Sequence, residues 1–294
     1  MKTPVYHEIK TNLSSIFISK VGQGPGVLLL HGFPQTHLMW RHIVPWLADH
    51  FTIVCADLPG YGDSGCPPSA NDHMPYSKRT MGVELVYTMK QLGFQQFSVV
   101  GHDRGGRVAY RMALDHPEVI RSVSVLDIIP TAEVWSRADK KFALDFLPWS
   151  LLAQPAPLPE KILEKCSTEI IDSALNEWGT PGKIFDLKIR EAYCRSFRDP
   201  LRIHAICEEY RAAATVDHEH DLADLKKNRR IECPLLVLWS KYLDLTYGGK
   251  DNILSIWNRW AHHVTGESLS AGHFFAEESP KETATLLLRF FRDM

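Results

Sequence analysis

One acidic residue of this chain stands where an apolar run meets a pair of glycines. The segment reads Phe97-Ser98-Val99-Val100-Gly101-His102-Asp103-Arg104-Gly105-Gly106-Arg107, and a helical pattern follows over residues 108–116. A strand that becomes a helix over so few residues must bend sharply, and only small residues let the backbone pass so close to itself. The spacing Gly-x-nucleophile-x-Gly is typical of a sharp turn that lifts one side chain above the end of a parallel sheet. We call this turn, residues 101–105, the elbow, and the helix after it the elbow helix. The lifted side chain here is Asp103.

An aspartate at this turn predicts different chemistry from the more common serine. Its ordinary pKa of about 3.9 leaves it ionised near neutral pH without the help of a base. A carboxylate can displace a leaving group from saturated carbon and form an ester to the protein, which water must then attack at the carbonyl carbon of Asp103. The second step needs a general base, a group that orients this base, and an oxyanion hole.

The general base is expected late in the chain, in a loop after the last strand. His273 occupies that place, because Gly272-His273-Phe274 comes just before the final helical pattern. A carboxylate that orients the imidazole also fixes its tautomer and stabilises its protonated form. Asp127, which ends the strand after the elbow helix, and Asp244, which follows the strand at residues 235–239, are both candidates. We favour Asp127 and keep Asp244 as the alternative.

Backbone N–H groups complete the predicted site as an oxyanion hole. One donor belongs to the residue after the nucleophile, here Arg104, and the other to a loop that follows an early strand. The strand at residues 26–30 runs into His31-Gly32-Phe33-Pro34, which assigns the second donor to Phe33. A simple turn is the alternative interpretation of this loop, but its position upstream of Asp103 favours the functional one.

Short apolar runs alternate with helical patterns along most of the chain. Strands are expected over residues 7–19, 26–30, 51–56, 97–101, 120–126 and 234–239, and helices over 39–50, 77–93, 108–116, 251–263 and 279–292. This alternation predicts an α/β fold with a doubly wound, mostly parallel sheet. The glycine-rich stretch at residues 57–64 lacks both the lysine of a phosphate-binding loop and the dinucleotide fingerprint, so we interpret it as structural.

The pattern changes after Pro130. Residues 131–216 are helical in pattern, rich in aromatic side chains and interrupted by prolines. We therefore expect three parts: residues 1–130 as the first part of an α/β core, 131–216 as an inserted helical cap over Asp103, and 217–294 as the second part of the core.

Composition limits the class of protein. A chain of 294 residues, 45% of them hydrophobic, is long enough for one large core with an inserted domain. A formal net charge of -2 gives no reason to expect nucleic acid or an anionic membrane as a partner. The first residues contain no apolar signal region, and no apolar run is long enough to cross a bilayer. A cytoplasmic protein is expected, with its six scattered cysteines as reduced thiols.

Residues 217–221, Asp-His-Glu-His-Asp, are the strongest candidate for a metal site. Adjacent residues on a helix do not face one point, so a solvated surface is the favoured interpretation. His102, beside Asp103, is expected to be packed or hydrogen-bonded beneath the elbow. We expect neither a metal ion nor an organic cofactor.

Four segments together resemble the fluoroacetate (haloacetate) dehalogenases. They are Asp103-Arg104-Gly105-Gly106-Arg107, Leu126-Asp127-Ile128-Ile129-Pro130-Thr131, Leu152-Ala153-Gln154-Pro155 and Tyr210-Arg211-Ala212-Ala213-Ala214-Thr215. These enzymes are cap-bearing α/β hydrolases and relatives of the epoxide hydrolases, and the resemblance covers nearly the whole chain. It implies hydrolysis of a small 2-halo carboxylate, an anionic substrate, through an ester on Asp103, with His273 oriented by Asp127. Relatives are commonly homodimers, so a homodimer is the assembly that the resemblance implies.

The resemblance also implies that Arg104 and Arg107 hold the substrate carboxylate. Two guanidinium groups offset the repulsion between an anionic substrate and Asp103, and their fork geometry binds a carboxylate bidentately. The alternative is that one of the two arginines pairs with a structural carboxylate.

The expected halide pocket departs from the family at one position. In the family a histidine–tryptophan pair and a tyrosine meet the leaving fluoride; Trp149 and Tyr210 match two of them, and Pro148 stands in place of the histidine. Proline has no donor, so one hydrogen bond to the departing halide is missing. We therefore expect chloro- or bromoacetate to react faster than fluoroacetate. Trp178 matches an aromatic residue that lines the family's pocket, although core packing explains it equally well.

Three other functions stay open at this point. An epoxide hydrolase uses the same triad but needs cap acids to protonate the opening ring, for which Tyr210 is one candidate and Tyr193 a weaker second. A serine esterase is disfavoured by Asp103. A ligand-binding protein that keeps the fold without turnover is favoured by Pro148 and disfavoured by the apparent triad.

Overall fold

The described residues form one eight-stranded sheet that is parallel except at one edge. The computed structural model describes residues 2–179, 184–247 and 252–292. The strands are β1 (Val5–Lys10), β2 (Ser15–Gly22), β3 (Gly26–Leu30), β4 (Thr52–Ala56), β5 (Phe97–His102), β6 (Ile120–Leu126), β7 (Leu235–Ser240) and β8 (Val264–Leu269). Their order is β1-β2-β4-β3-β5-β6-β7-β8, with β2 antiparallel to β1 and β4 and the other pairs parallel. The predicted α/β class is confirmed.

Helices follow most of the strands and form a long run between β6 and β7. They are α1 (Val44–Leu47), α2 (Lys78–Gln91), α3 (Arg104–Asp115), α4 (Thr131–Ser136), α5 (Lys140–Asp145), α6 (Leu147–Leu151), α7 (Leu158–Glu177), α8 (Leu187–Arg195), α9 (Pro200–Ala214), α10 (Val216–Lys226), α11 (Lys241–Tyr247), α12 (Ile253–Trp257), α13 (Phe275–Glu278) and α14 (Pro280–Arg292). Short 3₁₀ helices lie at His37–His42, Met74–Tyr76 and Ser196–Arg198. Every residue of β3 and β4 is buried, as expected for central strands covered on both faces.

The carboxyl ends of three neighbouring strands bring the predicted catalytic loops together. At these ends Leu30 of β3 pairs with Gly101 of β5, and His102 pairs with Leu126 of β6. The loop after each strand therefore starts beside the loop after the next. This register places the segment after residue 30, the elbow, and the segment after residue 126 at one edge of the sheet.

Helices α4 to α9 form the insertion that the sequence predicted as a cap over residues 131–216, and α10 follows it. Helix α7 packs on α9, and α10 packs on both α4 and α9. The glycine-rich loop packs under α9, because a Cβ at Gly60 would lie 2.7 Å from that of Ala205; this supports its structural interpretation. The division into residues 1–130, 131–216 and 217–294 stays a prediction, and α10 begins at its second boundary.

Three local expectations were wrong, and one strand was missed. Residues 7–19 belong to two strands, β1 and β2, which pair from Val5↔Lys20 to Lys10↔Ser15. Residues 39–50 form the end of a 3₁₀ helix and the short α1, where Pro45 stands in the first turn. Strand β8 was not predicted, because its sequence Val-Thr-Gly-Glu-Ser-Leu is polar and it lies at the sheet edge. The helix expected over 251–263 is the shorter α12, and residue 251 lies outside the described residues.

The charged run at residues 217–221 is not the solvated surface that its composition favoured. Asp217 accepts a hydrogen bond from the Lys78 N–H at 2.8 Å and another from its ammonium at 3.2 Å. Asp221 accepts from Arg111 at 2.7 Å and from the Tyr110 hydroxyl at 2.8 Å. Both aspartates are buried, because α2 and α3 supply cations from distant parts of the sequence. Among the described residues, no group of three His, Cys, Asp or Glu side chains is placed to hold a metal ion.

All six cysteines are free thiols, as expected, and Cys55, Cys194 and Cys207 are buried. Within the part of the chain that the structure describes, no helix is both long and apolar enough to pass through a bilayer.

Candidate active site

Asp103 stands alone between β5 and α3 with a strained backbone. Its φ of 44° and ψ of -116° are rare for a residue with a Cβ and cost on the order of 1–3 kcal/mol. Neighbouring glycines permit the turn: a Cβ at Gly101 would lie 2.2 Å from the Gly105 carbonyl oxygen, and a Cβ at Gly105 would lie 2.4 Å from that of His31. The sharp bend predicted from the spacing is thus present, and it places the Asp103 side chain at the carboxyl end of the sheet.

The Asp103 carboxylate is held by one of the two predicted oxyanion donors. The Phe33 N–H donates to Asp103 Oδ2 at 2.9 Å. The loop approaches so closely that a Cβ at Gly32 would lie 2.8 Å from the same oxygen. Arg104, whose N–H is the second predicted donor, is the first residue of α3; its role in the oxyanion hole stays a prediction.

Positive charge keeps Asp103 ionised despite its burial. Burial alone would raise the pKa of this carboxyl group, but His273, Arg104 and Arg107 together hold the pKa below its ordinary value. Oδ2 accepts the Phe33 N–H, so Oδ1 is the oxygen that the predicted nucleophilic attack would use.

His273 and Asp127 form a buried pair at the same edge. The His273 Nδ1 lies 2.7 Å from Asp127 Oδ2, and Oδ1 of Asp127 accepts from the Ser240 N–H at 2.7 Å. Burial would lower the pKa of His273, but the bond to Asp127 and the charges of Asp127 and Asp103 raise it above its ordinary value. With Nδ1–H directed at Asp127, the neutral imidazole presents Nε2 as the proton acceptor. The alternative acid, Asp244, lies in α11 and is half-buried.

His102 lies beneath this pair, as predicted. Its Nε2–H donates to the His273 carbonyl oxygen at 2.8 Å, and the two rings are 4.5 Å apart. Burial, with a smaller effect from His273, lowers the pKa of His102 to about 4. A neutral imidazole at this position supports the loop that carries His273 without adding charge.

The two elbow arginines occupy different environments. Arg104 is fully buried and donates to both carboxylate oxygens of Glu209, through Nε at 2.9 and 2.8 Å and Nη2 at 2.6 Å. Lys78 also pairs with Glu209. The alternative of a structural ion pair therefore applies to Arg104, although its Nη1 has no hydrogen-bond partner among the described residues. Binding of a substrate carboxylate by Arg104 stays a prediction.

Arg107 borders a small cavity in front of Asp103. Its Nη1 donates to the Ile129 carbonyl at 2.9 Å, and its guanidinium lies 4.4 Å from the centre of the Trp149 ring. Arg104 contacts the same ring at 4.9 Å and the Tyr210 ring at 4.0 Å. Both cations thus approach the aromatic wall of the cavity, with Arg107 at its surface and Arg104 behind Tyr210.

The cavity has a volume of about 20 Å³, which is about the room that one water molecule needs. Its lining residues come from the elbow, the two catalytic loops and the insertion: Asp103, Arg107, Asp127, Ile128, Ile129, Phe146, Trp149, Trp178, Tyr210, Leu243 and His273. Trp149, Tyr210 and Trp178 therefore line it as expected.

Pro148 does not line the cavity, although it was placed in the halide pocket; among the described residues it is a buried member of the first turn of α6. Adjacent helical residues point about 100° apart, which directs Trp149 and not Pro148 to the cavity.

Comparison with known proteins assigns this site to a family. A curated fluoroacetate dehalogenase from Burkholderia sp is 42% identical over 92% of this chain and 88% of its own length. The chain belongs to the fluoroacetate dehalogenase family of α/β hydrolases. The α/β-hydrolase family model matches residues 25–157. A crystal structure from Nostoc sp PCC 7120, described provisionally as an α/β hydrolase, superposes with a TM-score of 0.94 at 43% identity over 98% of both chains. A soluble epoxide hydrolase from Corynebacterium sp. is 26% identical over 97% of this chain and 96% of its own length.

Family resemblance did not reveal the acids that support the catalytic loops. Glu209, which holds Arg104, and Glu277, which follows His273 in α13, were not singled out. Each stands beside a second glutamate, Glu208 or Glu278, so the local sequence does not mark it as the acid with a buried partner. The identity of that partner is a matter of tertiary structure.

Proposed function

We propose that this protein hydrolyses small 2-halo carboxylates of the haloacetate type through a covalent ester on Asp103. The observation that carries the proposal is a carboxylate at the elbow, with one oxygen on the Phe33 N–H, facing a small cavity that Arg107 and His273 also border. The similarity to a curated fluoroacetate dehalogenase supports the same reaction class.

In the first step, Asp103 Oδ1 attacks the carbon that bears the halogen. A new C–O bond forms, the C–halogen bond breaks, and its electron pair leaves with the halide ion. Arg107 holds the substrate carboxylate and aligns the carbon with Oδ1, which is a gain of proximity and orientation. The product of this step is an ester between Asp103 and the substrate carbon.

In the second step, water attacks the carbonyl carbon of Asp103. His273 Nε2 takes a proton from the water, and Asp127 stabilises the imidazolium that forms. The Phe33 N–H, together with the proposed Arg104 N–H, stabilises negative charge on Oδ2. Collapse expels the hydroxy acid as its alkoxide, which takes the proton from His273, and Asp103 then loses its own proton to solvent.

Leaving-group stabilisation is where this chain departs from the family. Trp149 and Tyr210 line the cavity, and Pro148 supplies no third donor. Loss of one donor to developing charge costs on the order of 10²–10³ in rate at oxyanion sites. Fluoride binds hydrogen-bond donors most strongly, so fluoroacetate should be the slowest of the haloacetates.

The proposal is tested by halide release from fluoro-, chloro- and bromoacetate. Chloride and bromide should be released by the native protein and not by Asp103→Asn, whereas the exposed substitution Asp49→Asn should have no effect. A fluoroacetate rate equal to that of chloroacetate would contradict the leaving-group argument. Equal release by Asp103→Asn, or no release from any of the three, would overturn the proposal.

Epoxide hydrolysis is the second candidate, favoured by the similarity to the Corynebacterium enzyme. Tyr210 lines the cavity and can act as one ring-opening acid. Tyr193, the other candidate acid, is buried and donates to Glu277 at 3.0 Å outside the cavity lining. The small volume also disfavours an aromatic epoxide, so turnover of styrene oxide faster than of chloroacetate would favour this alternative.

A further inference from the structure

A buried carboxylate outside the cavity joins three separate parts of the protein. Glu277 is 6% exposed and lies in α13, shortly after His273. Its Oε2 accepts from the Gln35 side-chain amide, and its Oε1 accepts from Arg41. The Tyr193 hydroxyl donates to the same Oε1 at 3.0 Å. None of these side chains borders the cavity in front of Asp103.

Gln35 connects Glu277 to the oxyanion loop, residues 32–35. The Gln35 N–H donates to the Gly32 carbonyl at 2.9 Å, which closes the turn that presents the Phe33 N–H to Asp103. Gln35 is completely buried, so the position of its amide is fixed by what surrounds it. A displacement of the Glu277 carboxylate would therefore displace Gln35 and, with it, the turn that carries Phe33.

Glu277 itself belongs to the segment that carries the catalytic histidine. Its N–H donates to the Phe274 carbonyl at 2.8 Å, one residue beyond His273. We define the histidine loop as residues 272–275. The first turn of α13 thus links the Glu277 carboxylate to the histidine loop through a few rigid bonds.

Tyr193 brings in the cap. It lies in α8, is completely buried, and has Phe185 beside it at a ring distance of 6.2 Å. Phe185 in turn contacts Phe274 at 5.3 Å. Helix α8 therefore reaches the histidine loop by two routes, one polar through Glu277 and one aromatic through Phe185.

Keeping a carboxylate at this position has an electrostatic cost. Burial raises the pKa of Glu277 to about 7, although Arg41, Tyr193 and Gln35 all lower it. Replacing such buried charged groups by apolar residues is often neutral or stabilising, so stability does not explain the network. Hydrogen bonds are directional, so the bonds of Glu277 to Gln35, Arg41 and Tyr193 fix the relative positions of the segments that carry these residues. Apolar packing does not fix positions in this way.

We propose that Glu277 is a positioning residue that holds the oxyanion loop and the histidine loop at one separation and ties both to helix α8 of the cap. The proposal rests on the proposed function, since it concerns the loops on either side of Asp103. A displacement of 1 Å at a catalytic group can cost on the order of 10²-fold in rate. Glu277 makes no contact with substrate, so its effect is on kcat and not on substrate binding.

The decisive variant is Glu277→Gln, which keeps shape but not acceptor capacity. A carboxylate accepts on both oxygens, whereas an amide places an NH₂ group against either the Arg41 guanidinium or the Gln35 amide. Glu84→Gln is the matched control, because Glu84 is a buried acid on α2 that accepts from the Leu13 N–H, far from both loops. Tyr193→Phe removes only the hydrogen bond between Tyr193 and Glu277. It keeps the proposal testable if the Glu277 variant does not fold.

Two measurements on these variants decide the proposal. Amide hydrogen exchange should become faster in residues 32–36, 272–276 and 187–195 together in Glu277→Gln, and in residues 187–195 in Tyr193→Phe, with neither change in Glu84→Gln. The kcat for chloroacetate should fall about tenfold or more in Glu277→Gln while KM stays within about twofold. Faster exchange confined to residues 275–278, or a rise in KM without a fall in kcat, would overturn it.

The exchange measurement also separates this proposal from the proposed function. If the native protein releases no halide, the haloacetate assignment fails, and the exchange pattern still supports or overturns the coupling of the two loops. If the native protein releases halide and exchange in the loops does not change, the coupling fails and the assignment stands.

Discussion

At the scale of single residues, the chemistry depends on charge balance around Asp103. The carboxylate is ionised because His273 and the two elbow arginines hold its pKa below the ordinary value. Arg104 is itself balanced by Glu209, and Glu209 by Lys78. Arg107 lines the cavity and Arg104 does not. We therefore propose that Arg107 is the residue that binds the substrate carboxylate.

Arg107→Lys should raise KM for chloroacetate about tenfold, which corresponds to about 1.4 kcal/mol of binding free energy. Lysine keeps the charge but loses the planar fork that binds a carboxylate bidentately and packs on Trp149. The measurement is steady-state kinetics of chloride release beside Arg121→Lys, an exposed substitution on β6. An unchanged KM in Arg107→Lys would remove Arg107 from substrate binding.

Asp127→Asn should change both the rate and its pH dependence. Activity of the native protein should fall as pH drops through the pKa of His273, which lies above the ordinary 6.5, because protonated His273 cannot accept a proton. Without the Asp127 carboxylate that pKa falls, so the acidic limb of the kcat profile should move to lower pH. The rate at its plateau should drop on the order of 10²–10⁴.

The same pH profiles distinguish the two candidate acids. Asp244→Asn should leave the profile of the native protein unchanged, because the hydrogen bond of His273 Nδ1 goes to Asp127. If the acidic limb of the kcat profile shifts in Asp244→Asn and does not shift in Asp127→Asn, then Asp244 and not Asp127 orients His273.

At the scale of elements, the elbow depends on backbone-to-backbone approach. The turn between β5 and α3 holds Asp103 at a positive φ because glycines let three backbone segments meet. These features could be predicted from the sequence, since the spacing of glycines around one residue is local information. The same holds for Phe33, which follows β3 directly.

Gly105→Ala should lower the free energy of unfolding by about 2–4 kcal/mol. Its Cβ would lie 2.4 Å from the His31 carbonyl oxygen and 2.6 Å from that of Leu30, and backbone cannot move aside as a side chain can. Gly82→Ala in α2 is the control, because the nearest atom is Cγ of the flexible Met112 at 3.0 Å. Urea denaturation of both variants measures the difference, and equal stability would show that the elbow tolerates a Cβ.

The supporting acids could not be predicted because their partners are remote in sequence. Arg104 and Glu209 are 105 residues apart, and Gln35 and Glu277 are 242 apart. No local pattern distinguishes Glu209 and Glu277 from the glutamates beside them in the sequence, Glu208 and Glu278. The same reason explains why Asp217 and Asp221 were expected at the surface and are found on Lys78 and Arg111.

At the scale of the whole molecule, we expect the insertion between β6 and β7 to limit the size of the substrate. Residues from the insertion, Phe146, Trp149, Trp178 and Tyr210, close one side of the cavity, and the α/β core closes the other. Family resemblance predicted the aromatic lining, but the small volume follows only from how the two parts pack. We therefore expect the smallest halo acids to be better substrates than branched or aromatic ones.

Leu243→Ala should broaden the range of substrates. Leu243 is 4% exposed and lines the cavity from α11, so its removal adds volume without removing a polar group. The ratio of kcat/KM for 2-bromobutyrate to that for bromoacetate should rise about tenfold, the effect of a few methylenes in an apolar pocket. Leu144→Ala, at a residue that is 72% exposed, is the control. A ratio unchanged in Leu243→Ala would show that the cavity does not set the size limit.

The central claim is that Asp103 itself becomes the ester, and trapping that ester tests it most directly. His273→Asn should still be alkylated by chloroacetate but should not hydrolyse the product, because the base that activates water is gone. Peptide mass spectrometry after the reaction should find one carboxymethyl group on Asp103, with about one chloride released per protein molecule. Continued chloride release with an unmodified Asp103, or a carboxymethyl group on a different residue, would contradict the account.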